Sequence, residues 1–324
     1  MSRLNEYHPS RFHGIWALTK RELKKWLKEP IILLMAILQP VIWMGLFGKA
    51  MNLGGMFSGS NLGTINIPNI SLPGYVVVPQ YTSGNVTIPG SVLSPLFQNM
   101  FANPLFGQTV MQKIFGVTDY FSYMAVGMIS FIVMFTTMFS GMSIVWDRRL
   151  GFLNKVLSTP VSRAAIIFSK VLNASLRSMF QATIILILAS IPVIFGLQVS
   201  STFSILNILG IYAAIFLLCL GLSSVFLAVA LRSTKWETQM AIVNLINLPL
   251  MFASNTFFPI SQMPPWIQAI AQVNPVSYLT DAIRQLTVWQ LNASSLIFDF
   301  TFLGIFAAVF SVIGMALSWR YLTK

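Results

Sequence analysis

The sequence is short of charge. Only 9% of its 324 residues are Asp, Glu, Lys or Arg, against 56% hydrophobic, whereas a soluble domain carries about 25% charged residues. That scarcity excludes an ordinary water-soluble domain of this length. Acids are scarcer still: eight Asp and Glu face 20 Lys and Arg, for a net charge of +12. In a soluble chain such an excess points to nucleic acid, but here too little polar surface exists to present it, and no nucleic-acid partner is expected. One cysteine, Cys219, excludes an intrachain disulfide and reads as a small packing residue. The histidines, His8 and His13, make no metal-ligand spacing with other residues, so neither a metal nor another cofactor is expected. The pattern Gly-x-x-x-x-Gly-Lys-Ser/Thr is missing too, since Gly48-Lys49-Ala50 lacks the first glycine and the hydroxyl. The chain therefore holds no nucleotide by a P-loop.

What is present is a series of long apolar runs. A helix needs about 20 mostly apolar residues to cross about 30 Å of hydrocarbon. Six runs qualify, at residues 31–51, 121–145, 179–197, 205–231, 239–259 and 300–319. The first contains Pro40, which predicts a kink. The expected fold is an all-α polytopic membrane protein with six transmembrane helices, its permease-like body covering 30–324. The charged N-terminal stretch is too long for a signal-peptide n-region, so the first run reads as a retained span.

The basic residues orient these spans. Seventeen of the 20 Lys and Arg fall on the side shared by the N-terminus, the second and fourth loops and the C-terminus; only Lys49, Lys113 and Arg284 fall on the other. By the positive-inside rule both termini are cytoplasmic, and the expected location is the plasma membrane.

Between the spans, residues 1–29 hold an amphipathic segment. From Arg11 to Lys28, Trp16, Leu23, Trp26 and other apolar residues share one arc, and Lys24, Lys28 and other basic residues the opposite one. This is the pattern of a helix lying in the membrane interface. It reads either as an anchor or as an elbow that passes movement into the first span. The external loop 52–119 is too long to be structureless in a compact protein. A small cap with a hairpin is expected there, among β-prone pieces such as Tyr75–Val78 and Asn85–Ile88. Residues 261–292 contain two short amphipathic pieces starting at Pro264 and Pro275, read as short external helices. Asp281 and Arg284, three apart on one face, are expected to pair. The sequons at Asn69, Asn85 and Asn292 fall in external segments, and a fourth, at Asn173, falls inside.

No Asp, Glu, His, Lys or Arg lies within the six runs apart from Lys49 near the end of the first, with Asp299 only at an edge. That counts against a proton- or sodium-coupled carrier and against an intramembrane protease. Work against a gradient would then need energy from another polypeptide. Its docking surface would be the cytoplasmic loop 146–178, where Arg148, Arg149, Gly151, Leu153, Leu157 and Pro160 outline a short helix. The competing reading is a solvated basic loop that only obeys the positive-inside rule.

Three blocks of sequence resemble the permease subunits of type-2 ATP-binding-cassette transporters, most closely the drug-resistance exporters. They are Trp26-Leu-Lys-Glu-Pro; Asp147-Arg-Arg-Leu-Gly with Leu157-Ser-Thr-Pro-Val-Ser-Arg and Lys170; and Asn247-Leu-Pro-Leu, Phe257-Phe-Pro-Ile, Met263-Pro-Pro-Trp, Asn274-Pro-Val-Ser-Tyr and Asp281-Ala-Ile-Arg. Arg149 and Asn154 depart from the resemblance, standing where relatives usually carry acids. The resemblance implies a non-catalytic permease that exports a hydrophobic or amphipathic, drug-like or lipid-like substrate. Polysaccharide or ion export in the same family, or a self-standing channel or carrier, is the alternative. It implies two permease copies, a homodimer, over two ATPase subunits, with 146–178 as the coupling loop. It also implies an external re-entrant region containing Phe257, Phe258, Pro259, Pro264, Trp266, Asn274, Pro275, Tyr278, Asp281 and Arg284.

Overall fold

The computed structural model describes residues 11–50, 68–73, 85–102, 104–159, 161–192, 196–232 and 235–322. They fall into two compact units, residues 1–47 with 121–324, and residues 48–120.

In the larger unit, α1 (Arg11–Leu27) leads into α2 (Pro30–Trp43). Pro30 occupies the first turn of α2, where its missing N–H costs nothing. Pro40 lies inside α2, and the N–H of Met44 is shared between the carbonyls of Pro40 and Val41. The helix continues from there as a π-helical turn, Met44–Ala50. The expected kink thus takes the form of a widened turn.

The long helices are α5 (Tyr120–Arg149), α7 (Arg163–Ser190), α8 (Ile205–Arg232) and α12 (Ala293–Leu322). Between them come α6 (Phe152–Leu157), α9 (Trp236–Phe252), α10 (Pro265–Ala271) and α11 (Pro275–Thr287). Among the described residues four helices are long and apolar enough to cross a membrane: Phe106–Arg149, Arg163–Ser190, Ile205–Arg232 and Ala293–Leu317. The runs at 31–51 and 239–259 form shorter helices.

Several boundaries differ from expectation, and in two helices the reason is local. The run read as 179–197 lies on a helix that begins at Arg163, where the Ser162 hydroxyl accepts the N–H of Ala165 as an N-cap. It ends at Ser190 because Ile191 precedes Pro192 and is extended. The run read as 239–259 stops at Phe252, with Pro249 in its last turn. The carbonyls freed there, of Leu250 and Ala253, each accept the Asn274 Nδ2 at 2.7 Å. The same Asn274 accepts the Val276 N–H and starts α11, so one side chain ends one helix and begins another.

At the centre of this unit α8 packs against α12, α7 and α11. Small residues set the closeness, as is usual where apolar helices associate. A Cβ on Gly314 would sit 2.8 Å from the Ser224 carbonyl oxygen, and one on Gly221 would sit 2.5 Å from the Phe306 ring. A Cβ on Gly141 would lie 2.9 Å from the Phe226 carbonyl carbon, so α5 is pressed on α8 in the same way. Cys219 is fully buried in α8, with its Sγ 3.7 Å from the Ser178 hydroxyl. At the start of α12 the Asn292 side chain caps the N–H groups of Ser294 and Ser295.

The smaller unit contains an antiparallel ladder of β1 (Ile70–Pro73) and β2 (Asn85–Ile88), in register Ile70↔Ile88 to Pro73↔Asn85. The expected second strand is there, but its partner is Ile70–Pro73; Tyr75–Val78 lies outside the described residues. The helices α3 (Gly90–Ala102) and α4 (Pro104–Phe115) were not expected. Prolines that read as loop punctuation stand near helix starts here: Pro104 opens α4, and Asn69 Oδ1 accepts the Gly90 N–H at 2.7 Å as α3 begins.

Candidate functional site

Three arrangements in the larger unit carry the residues singled out by sequence. The first is the α5–α7 connection. Gly151 has φ +69°, the left-handed region that glycine adopts freely, and it reverses the chain between α5 and α6. The short α6 then folds back. Leu153 and Val156 enter an apolar cluster with Ile144, Ile166, Leu227 and Leu231, while Leu157 and Phe152 pack at its edge. Arg148 donates to the Leu231 carbonyl at 2.8 Å, at the C-terminal end of α8, where a cation suits the helix dipole. Of the residues expected at a docking face, Arg148, Leu153 and Leu157 are thus turned inward, because the apolar ones complete the core. Arg149 is exposed, and Pro160 lies outside the described residues. The outward face consists of Arg149, Leu150, Asn154, Lys155 and Ser158, with Leu150 70% exposed.

This connection is tied to α1. The buried Lys170 ammonium pairs with Asp147 and, at 3.1 Å, with Glu22. Arg21 reaches the same Glu22 at 3.1 Å and places its guanidinium 3.4 Å from the centroid of the Phe152 ring. Leu18 packs against the apolar cluster and Thr19 is fully buried. Trp26, expected in the lipid boundary, is only 4% exposed. Its ring meets Phe180 edge-on at 5.6 Å and carries the Arg177 guanidinium at 4.9 Å. Trp16, Lys24 and Lys28 are exposed and Leu23 is half-buried.

The second arrangement is a polar clamp around the turn after α9. The fully buried Arg284 donates to the carbonyls of Asn255 at 2.8 Å, Thr256 at 3.1 Å and Tyr123 at 3.3 Å, and lies 3.4 Å from the Tyr123 ring centroid. Asp281 accepts the Asn255 Nδ2 at 2.5 Å. The expected Asp281–Arg284 pair is therefore bridged by Asn255 and not direct, because two carbonyls of the turn after α9 and one of α5 take the guanidinium. Burial pushes the Asp281 carboxyl up to about 6, against the opposing pull of Arg284 and the Asn255 amide. Burial also raises the Tyr278 phenol, whose OH donates to the Gln272 carbonyl at 2.5 Å. Phe258 and Trp266 are exposed, while Phe257 contacts Phe252 and Phe131 at 6.3 and 6.4 Å. Asn274 and Pro275 start α11, and Pro259 and Pro264 flank the turn Ile260–Gln262 and the start of α10. These residues build a scaffold and do not converge on one reactive centre.

The third arrangement is a cavity of about 440 Å³ bounded by α2, α5, α7 and α9. Phe131, Phe135, Phe139, Trp146 and Trp236 supply its aromatic walls, and Thr136, Ser143, Gln181 and Arg177 its polar groups. The Thr136 hydroxyl donates to Gln181 Oε1 at 2.6 Å. Its size and mixed lining are those of a small-molecule site. This aromatic-walled pocket sits beside helices long enough to cross a membrane.

The chain matches the ABC-2 type transporter family over residues 77–288. It belongs to that family. Similar proteins carry transport names. The transport permease ycf38 of Porphyra purpurea is 30% identical over 64% of this chain and 71% of its own length. Its counterpart from Cyanophora paradoxa is 27% identical over 68% of this chain and 74% of its own length. The daunorubicin resistance ABC transporter permease protein DrrB1 of Streptomyces coeruleorubidus is 24% identical over 60% of this chain and 66% of its own length.

In this ABC-2 permease, sequence reasoning missed Arg177, Leu150 and Asn255. Arg177 was counted as a loop residue flanking a span, whereas it lies midway along α7 and lines the cavity. A helical projection from Lys170 would have found it, since positions 170 and 177 share a face. Leu150 has a legible signal, a lone large apolar residue between Arg149 and a glycine. Asn255 has none, because its role is to offer a carbonyl and an amide to groups distant in sequence.

Proposed function

We propose that this chain is the membrane-spanning permease of an ATP-driven exporter of hydrophobic or amphipathic, drug-like or lipid-like molecules. Two copies sit side by side over two ATP-binding-cassette ATPase subunits in the cell membrane. Six crossings are proposed, the four long helices together with α2 plus its π turn and α9, with both termini cytoplasmic. Residues 1–29 form the interfacial elbow, 52–119 an external cap, 146–178 the coupling loop and 261–292 the external re-entrant region. ATP is hydrolysed in the separate subunit.

The observation that carries this reading is the two-sided character of α6. One side is fixed in the core by Leu153 and Val156, so a push on it reaches α5, α7 and α8 at once. The other side, with the turn that leads into it, offers Lys155, Leu150 and Arg149 to a partner. Through Arg21 and Lys170 the same push reaches α1, which favours the elbow over the passive anchor. Cargo enters the cavity between α2, α5, α7 and α9. A relative named for resistance to a drug supports a drug-like cargo.

The test is co-purification with an ATP-binding-cassette ATPase in detergent. Leu150→Asp with Lys155→Glu should abolish the complex, or uncouple ATP hydrolysis from transport, while leaving the thermal stability of the permease unchanged. A complex and transport untouched by that double change would remove α6 from the coupling role.

A further inference from the structure

Among the described residues the Arg177 guanidinium makes no ion pair. It lies midway along α7, on the wall of the aromatic cavity. Among the described residues its only close neighbour of defined geometry is the Trp26 ring, at 4.9 Å, and its Nε is buried with no hydrogen-bond partner. Two carboxylates, Glu22 and Glu29, lie in electrostatic range but neither forms a close ion pair with it. Glu22 is committed to Lys170 and Arg21, and Glu29 makes no ion pair with it. The contrast with Lys170, two turns earlier on the same helix, is direct: that cation is held by two acids, while Arg177 is held by none. A cation inside an apolar segment is costly, and where it occurs it faces a cavity and meets a ligand or another charge. The aromatic side walls provide the complementary apolar surface, and Gln181 and Thr136 stand beside it as further hydrogen-bonding groups.

We propose that this cavity selects an amphipathic organic anion, its carboxylate, sulfonate or phosphate on Arg177 and its apolar body against Phe131, Phe135 and Trp146. A volume of about 440 Å³ fits one drug-sized or single-chain molecule and not a two-chain lipid. This rests on the export reading and names the cargo class at the same cavity. The planar fork of Arg177 can give two parallel hydrogen bonds to such a group.

The test uses the chain in nanodiscs of phosphatidylcholine, with no ATPase and no nucleotide. The probes are 12-bromododecanoate, at alkaline pH where it is ionised, and its neutral methyl ester; bromine quenches tryptophan fluorescence on contact. Trp146 and Trp236, two of eight tryptophans, line the cavity. The acid should quench at a concentration about tenfold or more below the ester, the size expected of one charge-assisted hydrogen-bonded contact. Arg177→Gln should bring the two curves together. Coinciding curves in the unaltered chain, or an acid preference that survives in folded R177Q, overturn the proposal. If R177Q does not fold, the double change Trp146→Phe and Trp236→Phe decides: the acid-specific quenching should fall by more than half, and its persistence overturns the site. Brominated phosphatidylglycerol in the nanodisc should quench no more in the unaltered chain than in R177Q; an Arg177-dependent signal would make the cavity a lipid site and overturn the proposal too. Binding here is read without transport. A chain that binds the acid but exports nothing with its ATPase overturns the export reading alone.

Discussion

Arg21 stacks on Phe152, its guanidinium carbon 3.4 Å from the ring centroid. The contact joins α1 to the short α6 helix, which are 131 positions apart in sequence. Arg21→Ala and Phe152→Ala should therefore be non-additive, with a coupling of about 0.5–1 kcal/mol for a partly exposed cation–π pair. Denaturant unfolding of the single and double variants in detergent measures it. Additive effects would mean that the stacking contributes nothing to the junction of α1 and α6.

Lys170 holds Asp147 and Glu22 together in a buried site. Replacing it with Met leaves two carboxylates with no cation between them, a loss of about 3–5 kcal/mol. Adding Asp147→Asn and Glu22→Gln to K170M removes the stranded charges and should recover much of that loss. Thermal unfolding of the three chains gives the order: unaltered, then triple, then K170M.

Arg284 serves three carbonyls at once. A lysine keeps the charge but has a single nitrogen and no planar face for Tyr123. Arg284→Lys should cost roughly 1.5–3 kcal/mol, the scale of one hydrogen bond to a charged group lost from a buried site. If R284K unfolds at the same temperature as the parent, the charge alone suffices and the fork geometry is incidental.

Asp281 has its carboxyl raised from 3.8 to about 6, chiefly by burial. Its folded form therefore binds a proton more readily than the unfolded chain does. The stability it contributes is present in full below about pH 4 and is lost as the pH climbs through about 6. The unfolding temperature of the parent, measured against Asp281→Asn, should fall across that window and level off above it. A difference that rises with pH would mean that Arg284 and Asn255 outweigh burial.

Gly127 faces a backbone oxygen. A Cβ there would lie 2.2 Å from the Thr256 carbonyl, the same carbonyl that Arg284 binds, and neither helix nor turn can yield without breaking the clamp. Gly127→Ala should cost at least about 1–3 kcal/mol, the usual range for overpacking, or prevent folding. Gly45 meets nothing within 4 Å, and Gly45→Ala is the neutral control.

How much of this was legible in the sequence depends on the range of the interaction. The apolar runs placed the helices, because hydropathy is a property of neighbours in the chain. The shift of the third run is instructive: charge at Arg163, Lys170 and Arg177 read as the end of a span, yet the helix passes through all three. Lys170 is tolerated because Asp147 and Glu22 arrive from 23 and 148 positions away, and no local rule carries that information. Local rules also mispaired Asp281 with Arg284. Spacing gave two charges on one face, while the carbonyls left open after α9 took the guanidinium first. At α6 the apolar residues were found but their direction was reversed, since a knob for a partner and a plug for the core have the same composition.

The close approaches at Gly141, Gly221 and Gly314 have a mechanical consequence. They fasten α5, α8 and α12 into a block with no clearance for even a methyl group. The cavity has α5 as one wall, but two others, α2 and α9, lie outside that block. Of these, α2 carries Pro40 at the cavity itself, where the hydrogen-bond ladder is already interrupted and the helix passes into its π turn. Swelling or emptying of the cavity then falls most easily to α2, with the glycine-fastened block as the fixed jaw.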